Sequence, residues 1–271
     1  MNKNELKSAV IAYWNEAACG TAAASSSKFT REYFDEIEEY RYTVEPEIFS
    51  FAQFSRFCDQ KVLEVGVGAG TDFLQWVRSG AKAYGVDITE EAVRHVEHRL
   101  EHYGLYAEEI RVADAENLPY EDEYFDLVYS FGVIHHSPDT VKALEEIIRC
   151  TRRGGRIKVM VYNRRSLNAL YLYLQYGLLA GKPFRSFADV VYHHMESLGT
   201  KAFTIGEIKS ILDKYPVRIN HIGATVTSYD LRWNKSWLQR FFAYLLACFL
   251  GYHRCGWFLT FELTKVDPMN R

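Results

Sequence analysis

The sequence predicts an α/β fold: a doubly wound, mostly parallel seven-stranded sheet, with helices before it and a helical lid inserted late in the chain. Three observations predict it. From residue 61, short apolar runs alternate with amphipathic stretches at βα spacing. Glycines or acids stand at three successive strand ends. The alternation is interrupted once, by the aromatic-rich residues 163–203.

Residues 1–60 read as an N-terminal helical cap. A helix over roughly 4–18 gathers Ala9, Val10, Tyr13 and Trp14, and the polar run TAAASSS at 21–27 is a loop. Thr30 then caps a helix with Tyr33, Phe34, Ile37 and Tyr40 or Arg41 along one face. Residues 61–162 form the core. Its strands are KVLEV (61–65), AKAYGVD (81–87), IRVAD (110–114), YFDLVYS (124–130) and RIKVMVY (156–162). A helix over 71–79 stops at Gly80, and Thr89 opens another carrying Val93, Val96, Leu100 and Tyr103 before Gly104. Ser137-Pro138 opens a further helix with proline at its first position. Residues 163–203 are helical, and residues 204–271 complete the sheet. The capping box Thr204–Glu207 is followed by a strand at 217–226, an apolar helix around 236–250 and a last strand at 256–265.

Composition narrows the function. The chain of 271 residues is 48% hydrophobic, enough to bury a large core, and its net charge of -3 excludes a basic nucleic-acid-binding surface. Cys19, Cys58, Cys150, Cys248 and Cys255 are scattered without metal-ligand spacing, which suits a reducing cytoplasm and no structural metal. The opening MNKNELKSAV lacks the apolar core of a signal peptide. The run Phe241 to Tyr252 is too short to span a bilayer; it reads first as a core or interface helix and second as a peripheral membrane contact.

The segment VLEVGVGAGTD (62–72) places Glu64 ahead of Gly66, Gly68 and Gly70, between a strand and a helix. Such a loop lets backbone N–H groups approach a ligand beside the positive helix end. Asp87 ends the second strand at the same sheet edge, where a carboxylate accepts from both hydroxyls of a ribose. Asp114 ends the third, where it accepts from an adenine amino group. Thr71 stands where a nicotinamide-dinucleotide motif has glycine or alanine.

The run from VLEVGVGAGTD through DAENLPYEDEYFDLVYSFGVIHHSPD to IIRCTRRGGRIKVMVYNRRS resembles class I S-adenosylmethionine-dependent methyltransferases, nearest the branch of ubiquinone and menaquinone biosynthesis enzymes. The resemblance covers about residues 60–165, and YWNEAACGT (13–21) is similar to the opening of a bacterial subgroup. It implies a Rossmann-like methyltransferase fold with S-adenosyl-L-methionine as cofactor. By the same resemblance Glu64, Gly66 and Gly68 shape the loop under the methionine moiety, Asp87 holds the ribose, and Asp114 with Ala115 binds the adenine beside Ile88. Ser130 and Phe131 would wall the methyl region. The common RVLKPGG turn of these proteins is RCTRRGG here, without the proline.

Base candidates are His135 and His136 after the fourth strand, and His193 with His194 and Glu196 in the lid; no second ligand group completes a metal site. Leu170, Tyr171, Tyr173, Leu174, Tyr176, Phe184, Phe187 and Tyr192 either line an acceptor pocket or form the core of a helical cap. The expected acceptor is a small molecule, aromatic, isoprenoid or sugar-containing. Two other classes stay open: a regulatory protein that binds the cofactor without turnover, and an NAD-dependent oxidoreductase.

Overall fold

A computed structural model describes residues 2–16, 18, 20–232 and 235–267. Cys19, and Ala17 within YWNEAACGT, lie outside the described residues.

The sheet is built from β1 (Lys61–Val65), β2 (Lys82–Asp87), β3 (Glu109–Val112), β4 (Phe125–Phe131), β5 (Thr151–Asn163), β6 (Ala202–Phe203), β7 (Val217–Thr225) and β8 (Phe258–Lys265). Its order is β3-β2-β1-β4-β5-β8-β7. The pairs among the first five strands are parallel, and β8 enters antiparallel between β5 and β7. The short β6, which the sequence pattern hides inside a helical stretch, adds an eighth strand beside the end of β5.

The helices are α1 (Lys3–Glu16), α2 (Arg31–Val44), α3 (Glu47–Ala52), α4 (Thr71–Arg78), α5 (Glu90–Tyr103), α6 (Thr140–Cys150), α7 (Leu167–Tyr173), α8 (Phe187–His194), α9 (Ile205–Leu212) and α10 (Trp237–Leu250). Thr30, Thr89 and Thr204 cap α2, α5 and α9 with their side chains, and Glu207 completes the capping box. The strands alternate between two apolar layers, as their period of two requires. Val62, Leu127, Tyr129 and Phe131 face one layer with Phe73 and Trp76; Leu63, Val65, Val128 and Val159 face the other with Leu144 and Ile147.

Two local expectations are corrected. α6 starts at Thr140, with the Asp139 side chain accepting from the Lys142 amide at 3.0 Å, so Ser137-Pro138 belongs to the preceding turn. Asp139 wins because a carboxylate cap satisfies a free helix N–H, which proline cannot do. The reading of residues 241–252 as core also fails. In α10 only Ala243 and Ala247 are buried, Leu246 is half-buried against Leu167, and the other large side chains face outward. Apolar composition alone does not orient a short helix.

Candidate active site

A cleft of about 1460 Å³, counting the space open to solvent, lies at the C-terminal ends of β1, β2, β4 and β5. Doubly wound sheets place ligands there, where neighbouring loops diverge. At its floor Gly66 sits at φ +84°, and a Cβ on it would meet Val133 Cγ2 at 2.2 Å. Only glycine fits this turn.

Asp87 orders the loop from the next strand. Its carboxylate accepts from the Gly68 amide (3.1 Å), the Thr89 amide (3.0 Å) and the Thr89 hydroxyl (2.9 Å). Burial pushes the Asp87 carboxyl above its ordinary value, and these donors oppose the shift. Ile88 lines the cleft beside it. The Ala113 amide donates to the Asp87 carbonyl at 2.8 Å, which holds Asp114 and Ala115 alongside, although β3 itself has ended at Val112.

Glu64 faces the cleft from β1. It is nearly buried, its Oε2 has no hydrogen-bond partner among the described residues, and desolvation drives its carboxyl well above the ordinary range. Asp72 opens α4 below it and adds to that shift. Arg41 of α2 donates to both Asp72 oxygens (2.9 and 2.8 Å), and the Tyr129 and Tyr42 hydroxyls donate to the same carboxylate. Arg41 also pairs with Glu45 at 3.1 Å.

α1 covers the Asp114 end of the cleft. Lys7 reaches Asp114 at 2.6 Å and Glu116 at 2.8 Å, Lys3 reaches Asp139 at 2.7 Å, and Val10 and Trp14 line the cleft. The opposite wall is aromatic: Phe131, Tyr162, Tyr229, Trp257 and Phe258 line it, with Met160 and Met195 between. Tyr162 stacks on Trp257 with centroids 4.2 Å apart.

Of the predicted bases, His136 and Glu196 reach the cleft. The His136 Nδ1 lies 2.9 Å from the Ser197 hydroxyl and 3.0 Å from that of Thr200, and its Nε2 lies 3.2 Å from a Glu196 carboxylate oxygen. The Tyr162 hydroxyl donates to the same oxygen at 2.9 Å, and the Trp14 ring meets the imidazole edge-on. Glu196 is held at φ +51°, a costly backbone for a non-glycine residue that points to tight local constraint.

His135 is not brought to the cleft. It is fully buried against Tyr162, and burial beside His136 and Lys201 holds its imidazole well below its ordinary value. Among the described residues both its nitrogens lack partners, and with His136 and Glu196 it brings potential ligand atoms within 4.8 Å. His193 stands on the exposed face of α8, bonded to Asp189, outside the cleft lining. Ser130 is buried and absent from the lining, because alternation along β4 sends it to the layer opposite Phe131. None of the lid residues Leu170, Tyr171, Tyr173, Leu174, Tyr176, Phe184, Phe187 or Tyr192 lines the cleft. Leu170 and Tyr171 pack against Leu167 and Ala247, Phe187 packs against the main core and stacks on Tyr173, and Phe184 is exposed.

Sequence reasoning missed Lys7, Arg41, Asp72, Tyr162, Tyr229 and Trp257. Asp72 alone carried a local signal, as an acid in the first turn of the helix after the glycine loop.

Residues 63–159 match the family model described as a methyltransferase domain. Chloroplastic tocopherol O-methyltransferase of Arabidopsis thaliana is 31% identical over 112 residues, 41% of this chain and 32% of that protein. Demethylmenaquinone methyltransferase of Thermobifida fusca is 28% identical over 141 residues, 51% of this chain and 59% of that protein. The chain spans about a third of the length of the curated relatives it matches first. Among solved structures, geranyl diphosphate C-methyltransferase from Streptomyces coelicolor A3(2), in complex with S-adenosyl-L-homocysteine, has the same fold. Its TM-score is 0.63 at 14% identity, over 96% of this chain and 98% of that one.

Proposed function

With the match to a methyltransferase domain at residues 63–159 as premise, we propose that the chain binds S-adenosylmethionine and transfers its methyl group to a small-molecule acceptor. One observation carries the reading: Glu64, the glycine loop, Asp87 and Asp114 converge on a single cleft whose far wall is aromatic.

The residues suit the cofactor. The unpartnered Glu64 oxygen suits its ammonium end, the space that Gly66 keeps free admits its backbone, and Asp87 suits its ribose hydroxyls. Asp114, Ala115 and Ile88 suit the adenine. S-adenosylmethionine supplies an electrophilic methyl whose leaving group is a neutral thioether. The chain's task is then alignment, which contributes about 7–11 kcal/mol when donor and acceptor are held in line. Phe131, Met160 and Trp257 shield that region from water.

His136 removes the acceptor's proton where one must leave, with Glu196 stabilising the charged imidazole, an arrangement worth roughly a hundred- to ten-thousandfold. The aromatic wall favours an acceptor with an aromatic or extended apolar part. Relatives named for tocopherol, demethylmenaquinone and geranyl diphosphate agree with that preference.

The test is calorimetry with S-adenosylmethionine and its demethylated product, followed by methyl-label transfer to lipid and aqueous extract fractions. Asp87→Ala is expected to weaken binding by about 1.5–3 kcal/mol, as loss of a charged acceptor does. Unchanged affinity removes Asp87 from the site. Tight binding with no label in either fraction favours a regulatory protein, and binding of NADH in place of both ligands overturns the reading.

A further inference from the structure

Among the described residues, the outward face of α10 has no partner. Trp237 is 76% exposed, Phe242 60% and Phe249 86%, with Leu238, Phe241, Tyr244 and Leu245 also open. No charged residue interrupts this face, because Arg240, the one charge in the helix, lies at helical spacing on the side of Ala243 and Ala247. A contiguous apolar surface of this kind on a folded chain marks an interaction site.

The charge around it identifies the partner. The chain as a whole carries 35 acidic and 32 basic residues, yet from Leu231 through Phe261 there is no Asp or Glu and there are four Lys or Arg residues. Lys235, Arg240 and Arg254 are exposed beside the apolar face. α7 packs on the inner side of α10 through Leu167 and Ala247. The segment that continues from α7, residues 174–188, is also free of acids; it carries exposed Leu178, Leu179, Lys182 and Phe184.

We propose that α10, with the 178–184 turn, docks on an anionic bilayer surface. The helix lies in the interface plane with its aromatic residues among the acyl chains and its flanking cations at the headgroups. Its 14 residues span about 21 Å along that plane, and among the described residues no helix is long and apolar enough to cross the membrane. Pairing two copies through the same face would instead bring cation against cation.

The anchor is wired to the cleft. Buried Asp230, in the loop before α10, accepts from the amides of Thr227 (3.0 Å), Asn168 (3.1 Å) and Trp257 (2.7 Å), which joins that loop to the start of α7 and of β8. Tyr229 on one side and Trp257 on the other line the cleft. Docking therefore puts the aromatic wall next to lipid, and an acceptor with an apolar tail enters from the bilayer. This consequence rests on the methyltransferase reading; the docking does not.

The test is co-sedimentation of the full chain with vesicles of phosphatidylcholine alone and of phosphatidylcholine mixed with phosphatidylglycerol. The expected result is binding to the mixed vesicles and at least about tenfold weaker binding to the neutral ones, the gap closing as salt rises. The double variant F242D/F249D should lose at least about tenfold in partition while keeping the wild-type melting temperature and S-adenosylhomocysteine affinity. No binding to either vesicle overturns the proposal. So does a concentration-dependent dimer in sedimentation equilibrium that the double variant abolishes. A chain that binds mixed vesicles but no S-adenosylhomocysteine upholds the docking and sinks the cofactor reading.

Discussion

At Gly66 two constraints meet: a backbone at φ +84° and a Val133 side chain in the space of any Cβ. Gly66→Ala is therefore expected to cost about 2–4 kcal/mol, the sum of left-handed strain and overpacking. A denaturant titration reads this as a lower midpoint at unchanged slope, and a shift under about 0.5 kcal/mol would show that the loop relaxes freely. This residue was legible in the sequence, as was Asp87, because a tight strand-to-helix turn and an acid at a strand end announce themselves locally. Arg41 and Lys7 were not. Arg41 meets Asp72 across 31 positions and Lys7 meets Asp114 across 107, distances over which no periodicity speaks. Ser130 shows a different failure: its neighbour Phe131 faces the cleft, and adjacent strand residues cannot both do so.

Among the elements, the strands and their capped helices could be read from pattern because each has one buried face with its own period. α1 and α10 could not be placed that way. α1 buries only Leu6 and Val10, Trp14 meets His136 edge-on, and Lys3 and Lys7 tie it to the body by ion pairs. An element with so few buried side chains opens at low free-energy cost. α1 is therefore expected to open and close over the Asp114 end of the cleft, with the Lys7 ion pairs holding it shut. Lys7→Met removes two short ion pairs, part-buried at 24% exposure, and leaves the stem in place. Stopped-flow release of S-adenosylhomocysteine should accelerate about three- to tenfold, consistent with about 1 kcal/mol for charge-assisted bonds at partial burial. A release rate equal to wild type would mean that α1 does not gate the site. α10 was misread for the opposite reason: its composition predicts burial, but the core it approaches accepts only the alanine edge, and the remainder stays outside.

For the molecule as a whole, the N-terminal cap and the sheet are joined by a buried cation, and this junction makes stability depend on pH. Lys158 on β5 is 1% exposed and donates to the carbonyls of Phe51 (2.6 Å) and Ala52 (3.2 Å) and to the Gln53 side chain (3.0 Å). Burial pulls its ammonium down to about 8, with Arg56 and Arg156 adding to the shift and Glu262 opposing it. The folded value lies below the unfolded one of 10.5, so between these two the unfolded chain binds more protons than the native one. Native stability then rises as pH climbs from 8 towards 10.5, and the cost of the buried charge is fully present below 8. The shift corresponds to an upper bound of about 3 kcal/mol. Cys150 works against it from higher pH, because burial raises its thiol to about 11 and stability falls as pH passes 9. The clean comparison is therefore the difference between wild type and Lys158→Met from pH 7.5 to 9, followed by urea titration. The variant should be less stable overall, since two carbonyls lose their donor, and its stability should climb less steeply than that of wild type across that interval, the remaining climb coming from Lys201, which burial also pulls down to about 8. Parallel profiles for the two proteins would show that Lys158 keeps an ordinary proton affinity and that the cap is held to the sheet by packing alone.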